Sequence, residues 1–238
     1  MSLINRTKIN IMKKLFVFII LLTGSALSVI AQETETRSLS DFSEVIVGEA
    51  IKVTLIPGNK NEAVVKARNI DLEDVETDVR GNSLKIELSG NRYRNIDVEI
   101  TLTYKSIDAI SVSSAADVVT KGAIKSASLD ISVSSAANAD LEIAADKIDV
   151  DVSSSGELKL SGKSSSQRVS VSSAGDYYAY DLICDAAYVR ASSAGSARIN
   201  ATNEIDAKAS SAGSIKYKGE PDKVYVNSSS GGDVHKSN

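Results

Sequence analysis

Serine is the residue type whose recurrence in this chain could carry chemistry. A tetrad of the form Ser-Ser-[Ala/Ser]-[Gly/Ala] begins at Ser113, Ser134, Ser153, Ser172, Ser192, Ser210 and Ser228, at intervals of 21, 19, 19, 20, 18 and 18 residues. A serine hydroxyl becomes a nucleophile only when an oriented base takes its proton. The chain has one histidine, His235, in the last tetrad's coil, and no Gly-x-Ser-x-Gly elbow. The serines therefore read as structural and not catalytic.

Two further sets of side chains keep step with the tetrads. Lys159, Tyr178, Arg198 and Lys216 each stand six residues after a first serine, with Tyr180 and Lys218 two residues further on. Stacked repeats would line these up as a basic and aromatic stripe. Such a stripe suits an anionic glycan, because tyrosine rings stack on sugars and cations pair with acidic groups. The alternative is an ordinary solvated strand face, since exposed Lys and Arg are the surface norm. Asp117, Asn138, Glu157 and Asp176 stand four residues after a first serine. Clustered carboxylate and amide oxygens are what Ca²⁺ prefers. Asp and Asn also favour bends for their own sake, and the Gly-Gly-x-Gly-x-Asp rhythm of calcium-binding β-rolls is absent. No other cofactor is expected. No carboxylate pair stands out as the site of a polysaccharide lyase or hydrolase, so the chain is not expected to be an enzyme.

The elements that must position these residues are strands. Leu129-Asp130-Ile131-Ser132-Val133, Ile148-Asp149-Val150-Asp151-Val152 and Arg168-Val169-Ser170-Val171 precede tetrads; Ala139-Asp140-Leu141-Glu142-Ile143 and Leu158-Lys159-Leu160 follow them. Alternation with period two reads as half-buried strand. Each unit is then strand, small-residue corner, strand, and a variable polar loop such as Ser161-Gly162-Lys163-Ser164. One unit cannot bury its apolar side alone, but stacked units can. A period of 18–21 fits one coil of a solenoid. The expected fold is all-β: a right-handed, single-stranded parallel β-helix of about seven serine-rich coils. Alternation would place the second serine of each tetrad inward or at the corner, where only small residues fit and its hydroxyl bonds a neighbour. The glycine that ends most tetrads is expected to take positive φ.

Residues 32–110 lack the tetrad but hold strand-like runs, among them Val45-Ile46-Val47, Leu84-Lys85-Ile86-Glu87-Leu88 and Ile96-Asp97-Val98-Glu99-Ile100. Turns are expected at Pro57-Gly58-Asn59 and Arg80-Gly81-Asn82. Strand pairs closed by short turns read as hairpins or irregular first coils, either of which would form an irregular β cap on the open end of the solenoid, continuous with the repeats at 111–238. Its opening, Asp41-Phe42-Ser43-Glu44-Val45-Ile46-Val47-Gly48 and then Ile51-Lys52-Val53-Thr54-Leu55, resembles the putative auto-transporter adhesin family with a head GIN domain. The resemblance implies a secreted bacterial β-helix with an adhesin's role, and it brings no catalytic residues.

Lys13 and Lys14 precede an apolar run, Leu15 to Leu22, and small residues ending in Val29-Ile30-Ala31. Residues 1–31 are thus expected to be a signal peptide, cleaved after Ala31. The apolar run is too short for a membrane span of ~20 residues. The segment carries Arg6, Lys8, Lys13 and Lys14 and no acid, so its removal takes the net charge from −4 to −8. An acidic chain argues against a nucleic-acid partner. Lone Cys184 has no internal disulfide partner and reads as a small hydrophobe. The chain is expected in the periplasm or on the cell surface, bound to an envelope glycan or protein. The alternative role is a scaffold that pairs through its solenoid edge.

Overall fold

The computed structural model describes residues 32–90 and 95–237. The expected signal peptide lies outside the described residues. Gln32–Asn238 forms one compact unit. Its strands are β1 (Glu33–Ser38), β2 (Glu44–Val47), β3 (Lys52–Pro57), β4 (Glu62–Arg68), β5 (Val75–Arg80), β6 (Ser83–Leu88), β7 (Asp97–Tyr104), β8 (Ala109–Val112) and β9 (Asp117–Thr120). They continue as β10 (Ile124–Val133), β11 (Asn138–Val152), β12 (Glu157–Val171), β13 (Asp176–Ala191), β14 (Ser196–Ala209), β15 (Ser214–Lys218), β16 (Lys223–Ser228) and β17 (Asp233–Lys236). One 3₁₀ turn, Leu72–Asp74, interrupts them, and the described residues contain no α-helix.

The strands stack as a parallel β-solenoid of about seven turns. On the side that leads into the corners, Val47, Val112, Val133, Val152, Val171, Ala191 and Ala209 lie in one register column. All seven are buried. On the side that leaves the corners, Val53, Val118, Ala139, Leu158, Tyr177, Ala197 and Ile215 form the matching column. Each buried Val or Leu contributes about 1.5–3 kcal/mol. Stacking repeats this gain at every coil, which is why a chain without Trp can hold a core. Tyr177 is fully buried between Leu158 and Ala197 in its column, and its hydroxyl donates to Gln167 Oε1 at 2.9 Å.

The corners do what the tetrads predict by a different local conformation. The N–H of the fourth residue donates to the carbonyl of the first, as Ala137 to Ser134 at 3.1 Å and Gly195 to Ser192 at 2.8 Å. The second and third residues both have positive φ, for example 48° at Ser193 and 60° at Ala194. This is the pattern of a type I′ turn. The second serines, Ser135, Ser154, Ser173, Ser193 and Ser211, are exposed and do not point into the solenoid. At these corners the left-handed residues are Ser and Ala (or Ser155), not the closing glycines; of the glycines that close tetrads only Gly231 has positive φ, 75°. Glycine is needed for closeness instead: a Cβ on Gly195 would stand 2.7 Å from the Val171 carbonyl oxygen of the coil below. Left-handed conformation costs an ordinary residue roughly 1–2 kcal/mol. Hydrogen bonds between coils hold it: Ala136 N–H donates to Ser154 O at 3.0 Å, Ala174 to Ser193 at 3.0 Å and Ala194 to Ser211 at 3.1 Å.

Two boundaries differ from the sequence reading, and the N-terminal part holds both of the forms expected for it, a first coil and a hairpin. The variable stretches are not loops, because β11 to β14 run unbroken for 14–16 residues from one corner to the next. A pair of adjacent exposed residues such as Asp146-Lys147 breaks the alternation where the strand bends. The last corner begins at Ser229, not Ser228: Ser228 pairs with Ala209, and Ser230 takes the positive φ. The N-terminal part contributes a coil of its own. Gly48-Glu49-Ala50-Ile51 forms a corner without serine, with φ 60° and 59° at Glu49 and Ala50, and Ala50 N–H donates to Ser114 O at 2.9 Å. Beyond it the sheet ends in antiparallel strands: β7 pairs β4, β4 pairs β1, and β6 pairs β5.

Candidate ligand-binding face

The stripe residues stand on the side of the solenoid that leaves the corners, where alternation turns every second side chain outward. Asp140, Lys159, Tyr178, Arg198 and Lys216 occupy one register column through β11 to β15. The column gains His235, paired in register with Lys216, once the last corner is set at Ser229. Sequence reading missed it because the misplaced tetrad moved the count by one. His235 Nδ1 lies 2.8 Å from Asp233 Oδ2.

Tyr180 does not stand in register with Ser161. The coil of Ser172 is one residue longer than the coil before it, and β13 absorbs the extra residue in a bulge between the pairs Lys159–Tyr178 and Ser161–Asp181. A bulge re-aims the side chains beside it. Tyr180 meets Asn200, whose Nδ2 donates to the Tyr180 carbonyl at 3.3 Å, and its hydroxyl lies 2.7 Å from Ser237 Oγ.

The tyrosines are half-buried and not fully exposed, because cations cover them. Arg198 Cζ lies 4.4 Å from the Tyr178 ring centroid, and Lys218 Nζ lies 4.4 Å from that of Tyr180. Cation–π attraction at such distances contributes about 0.5–1 kcal/mol each at partly wet sites. It also holds long side chains against the sheet. Lys159 pairs with Asp140 at 3.3 Å. Arg198 Nη1 is buried with no hydrogen-bond partner among the described residues. An unpaired donor of this kind costs about 1–3 kcal/mol.

Asp117, Asn138, Glu157 and Asp176 also form a column, one residue past each corner. Its lower neighbour is Lys52, which pairs with Asp117 in register and bonds Asp97 Oδ1 at 2.9 Å. That hydrogen bond raises the Lys52 pKa and lowers that of Asp97. Among the described residues no group of three or more His, Cys, Asp or Glu side chains is placed to hold a metal ion. The residues of a flat ladder point the same way, side by side, and do not converge.

On the opposite side lies a shallow trough that the sequence reading did not single out. It holds about 540 Å³ between Glu44, Ser132, Asp149, Asp151 and Arg168. Small residues such as Ala109 and Ser111 leave its floor low. Cys184 lies in the core and donates to Ala186 O at 3.1 Å; burial pushes its thiol up to about 11, so it is not a nucleophile at neutral pH.

The family described as "putative auto-transporter adhesin, head GIN domain" matches residues 41–221. The chain belongs to this family. The solved structure of a putative adhesin from Bacteroides fragilis is 21% identical, with a TM-score of 0.79 over 87% of this chain and 97% of that one. A putative adhesin from Parabacteroides merdae gives 17% and 0.69 over 87% and 96%. A protein from Parabacteroides distasonis described as a putative lipid binding protein gives 19% and 0.69 over 87% and 97%. At these identities the likeness is one of fold. No curated protein matches the chain. Among the described residues of this head GIN domain, no helix is long and apolar enough to cross a membrane.

Proposed function

We propose that the protein is an exported, non-catalytic adhesin-type module of the cell envelope, and that its stripe binds an anionic glycan. The observation that carries this reading is the two cation–π contacts, Arg198 on Tyr178, its register partner, and Lys218 on Tyr180 beside the bulge. They concentrate positive charge and aromatic surface on one face of an acidic chain. Lys216 adds a cation in the same column, and within the column itself only Asp140 carries opposite charge. An acidic sugar would pair with the guanidinium and ammonium groups while its ring rests on tyrosine. The rungs lie about 4.8 Å apart, close to the rise of a sugar in an extended polymer, so one chain can meet several rungs.

The test is a glycan array that holds acidic and neutral polysaccharides. The native chain is expected to retain acidic polymers, more weakly as salt rises. The double substitution Tyr178→Ala and Tyr180→Ala is expected to weaken binding about 10-fold, from the loss of two sugar–ring contacts of ~0.5–1 kcal/mol each. Unchanged binding by this variant, with an unchanged melt, would remove the proposal.

A further inference from the structure

Four strands among those described have a neighbour on one side only: β1, β5, β16 and β17. Natural sheets protect such edges with charges, including charges at inward positions. Three of the four are protected in this way. β1 reads Glu-Thr-Glu-Thr-Arg-Ser, and β5 carries Glu76, Asp78 and Arg80. β17 places Lys236 opposite buried Tyr217, where an apolar residue would continue the core, and Glu220 Oε2 holds it at 2.6 Å.

β16 has one charge, Lys223 at its first position, and none at its inward positions or along the rest of its length. Val224, Tyr225 and Val226 are 47%, 57% and 48% exposed. Val224 and Val226 stand opposite buried Ile205 and Ala207, so they extend core columns with no described coil above them. The backbone is equally open. Ser229 N–H donates to Ala209 O, and by strand alternation the N–H and C=O of Val224, Val226 and Ser228 point away from β14.

We propose that β16 is a homotypic docking strand, and that two copies of this chain pair β16 to β16, antiparallel, about a two-fold axis at Tyr225. The strand is complementary to its own reverse. In this register Val224 faces Val226 of the second copy, both pairs inward and both hydrogen-bonded. Tyr225 faces Tyr225, Lys223 faces Asn227 and Asp222 faces Ser228, so no like charges oppose each other. The charged edges of β1 and β5 disfavour head-to-tail growth, and the assembly closes as a dimer. One six-residue strand per copy buries less than the roughly 1,000 Å² of a stable interface, so the dimer is weak, with a Kd of roughly 100 µM.

Analytical ultracentrifugation of residues 32–238 from about 5 to 500 µM tests this. Reversible dimerisation is expected, and Val226→Lys, which copies the guard at Lys236, is expected to abolish it. Chain that stays monomeric at 500 µM overturns the proposal. Cross-linking covers the case in which Val226→Lys fails to fold. In a Cys184→Ala background, Tyr225→Cys would meet its own copy across a non-hydrogen-bonded pair, at a Cα separation of about 4.5 Å that a disulfide accepts. It is expected to form covalent dimer at least 10-fold faster than Ile183→Cys, an exposed site away from the edge. Equal rates overturn the proposal. Glycan binding by the monomer is measured on another face and is expected to survive Val226→Lys, so failure of one reading does not carry the other.

Discussion

Ala194 holds φ at 60°, where its methyl group crowds its own carbonyl, and it recurs in kind at Ala115, Ala136, Ala174 and Ala212. Turns with two left-handed residues usually use Asn-Gly. Here Ser-Ala is retained because the hydrogen bonds above and below fix the conformation at every rung. Ala194→Gly is therefore expected to stabilise the fold by about 0.5–1 kcal/mol, since relief of the left-handed cost exceeds the added freedom of the unfolded chain. Ala194→Val is expected to destabilise it, because a β-branched residue tolerates this region worse. Urea midpoints at constant m-value check both. The tetrads were legible in the sequence; their handedness at each residue was not. Alternation predicts inward or outward only while the chain stays extended, and at the corner it does not.

At the scale of the strand, length decides. The coils of Ser153, Ser172 and Ser192 contain 19, 20 and 18 residues, yet their corners stack in register. The surplus is absorbed between corners, by the bulge at Tyr180 and by bends at glycine. Gly162 has φ 111°, and a Cβ there would stand 2.0 Å from the Ile143 carbonyl oxygen. Gly162→Ala is expected to cost about 2–3 kcal/mol, through strain at a conformation that L residues avoid and loss of the pairing beside it. A lowered melting temperature in calorimetry is the readout; a change within about 0.5 kcal/mol would show that the bend relaxes freely. In the sequence Ser161-Gly162-Lys163-Ser164 looks like a loop, because nothing local says that coils on either side supply its hydrogen bonds.

The whole molecule is a stack in which each coil answers mainly to its neighbours. Removal of Ser134 to Val152 joins Val133 to Ser153 and leaves every corner with an equivalent partner, because Val133 and Val152 share a register position. The shortened chain is expected to fold, to melt in one transition and to be shorter by roughly 4.8 Å in small-angle scattering. It loses Asp140 but keeps Lys159, Tyr178, Tyr180, Arg198, Lys216 and Lys218, so glycan binding is expected to persist. Loss of folding in this variant would mean that the repeats are not equivalent rungs.

The sequence by itself determined the fold class, the period, the places of the six corners from Ser113 to Ser210, and the columns of Lys159, Tyr178, Arg198 and Lys216, and of Asp117, Asn138, Glu157 and Asp176. It could do so because period-two alternation sorts residues by side and a repeated corner sets the register. Only the tertiary structure decided that Gly48–Ile51 is a corner, that the last corner starts at Ser229, that a bulge re-aims Tyr180, and that Arg198 and Lys218 close over the tyrosines. It alone left β16 bare. Those features depend on pairing between residues distant in the chain. Coil lengths differ, and the slack is taken up wherever the neighbouring rung offers hydrogen bonds and room.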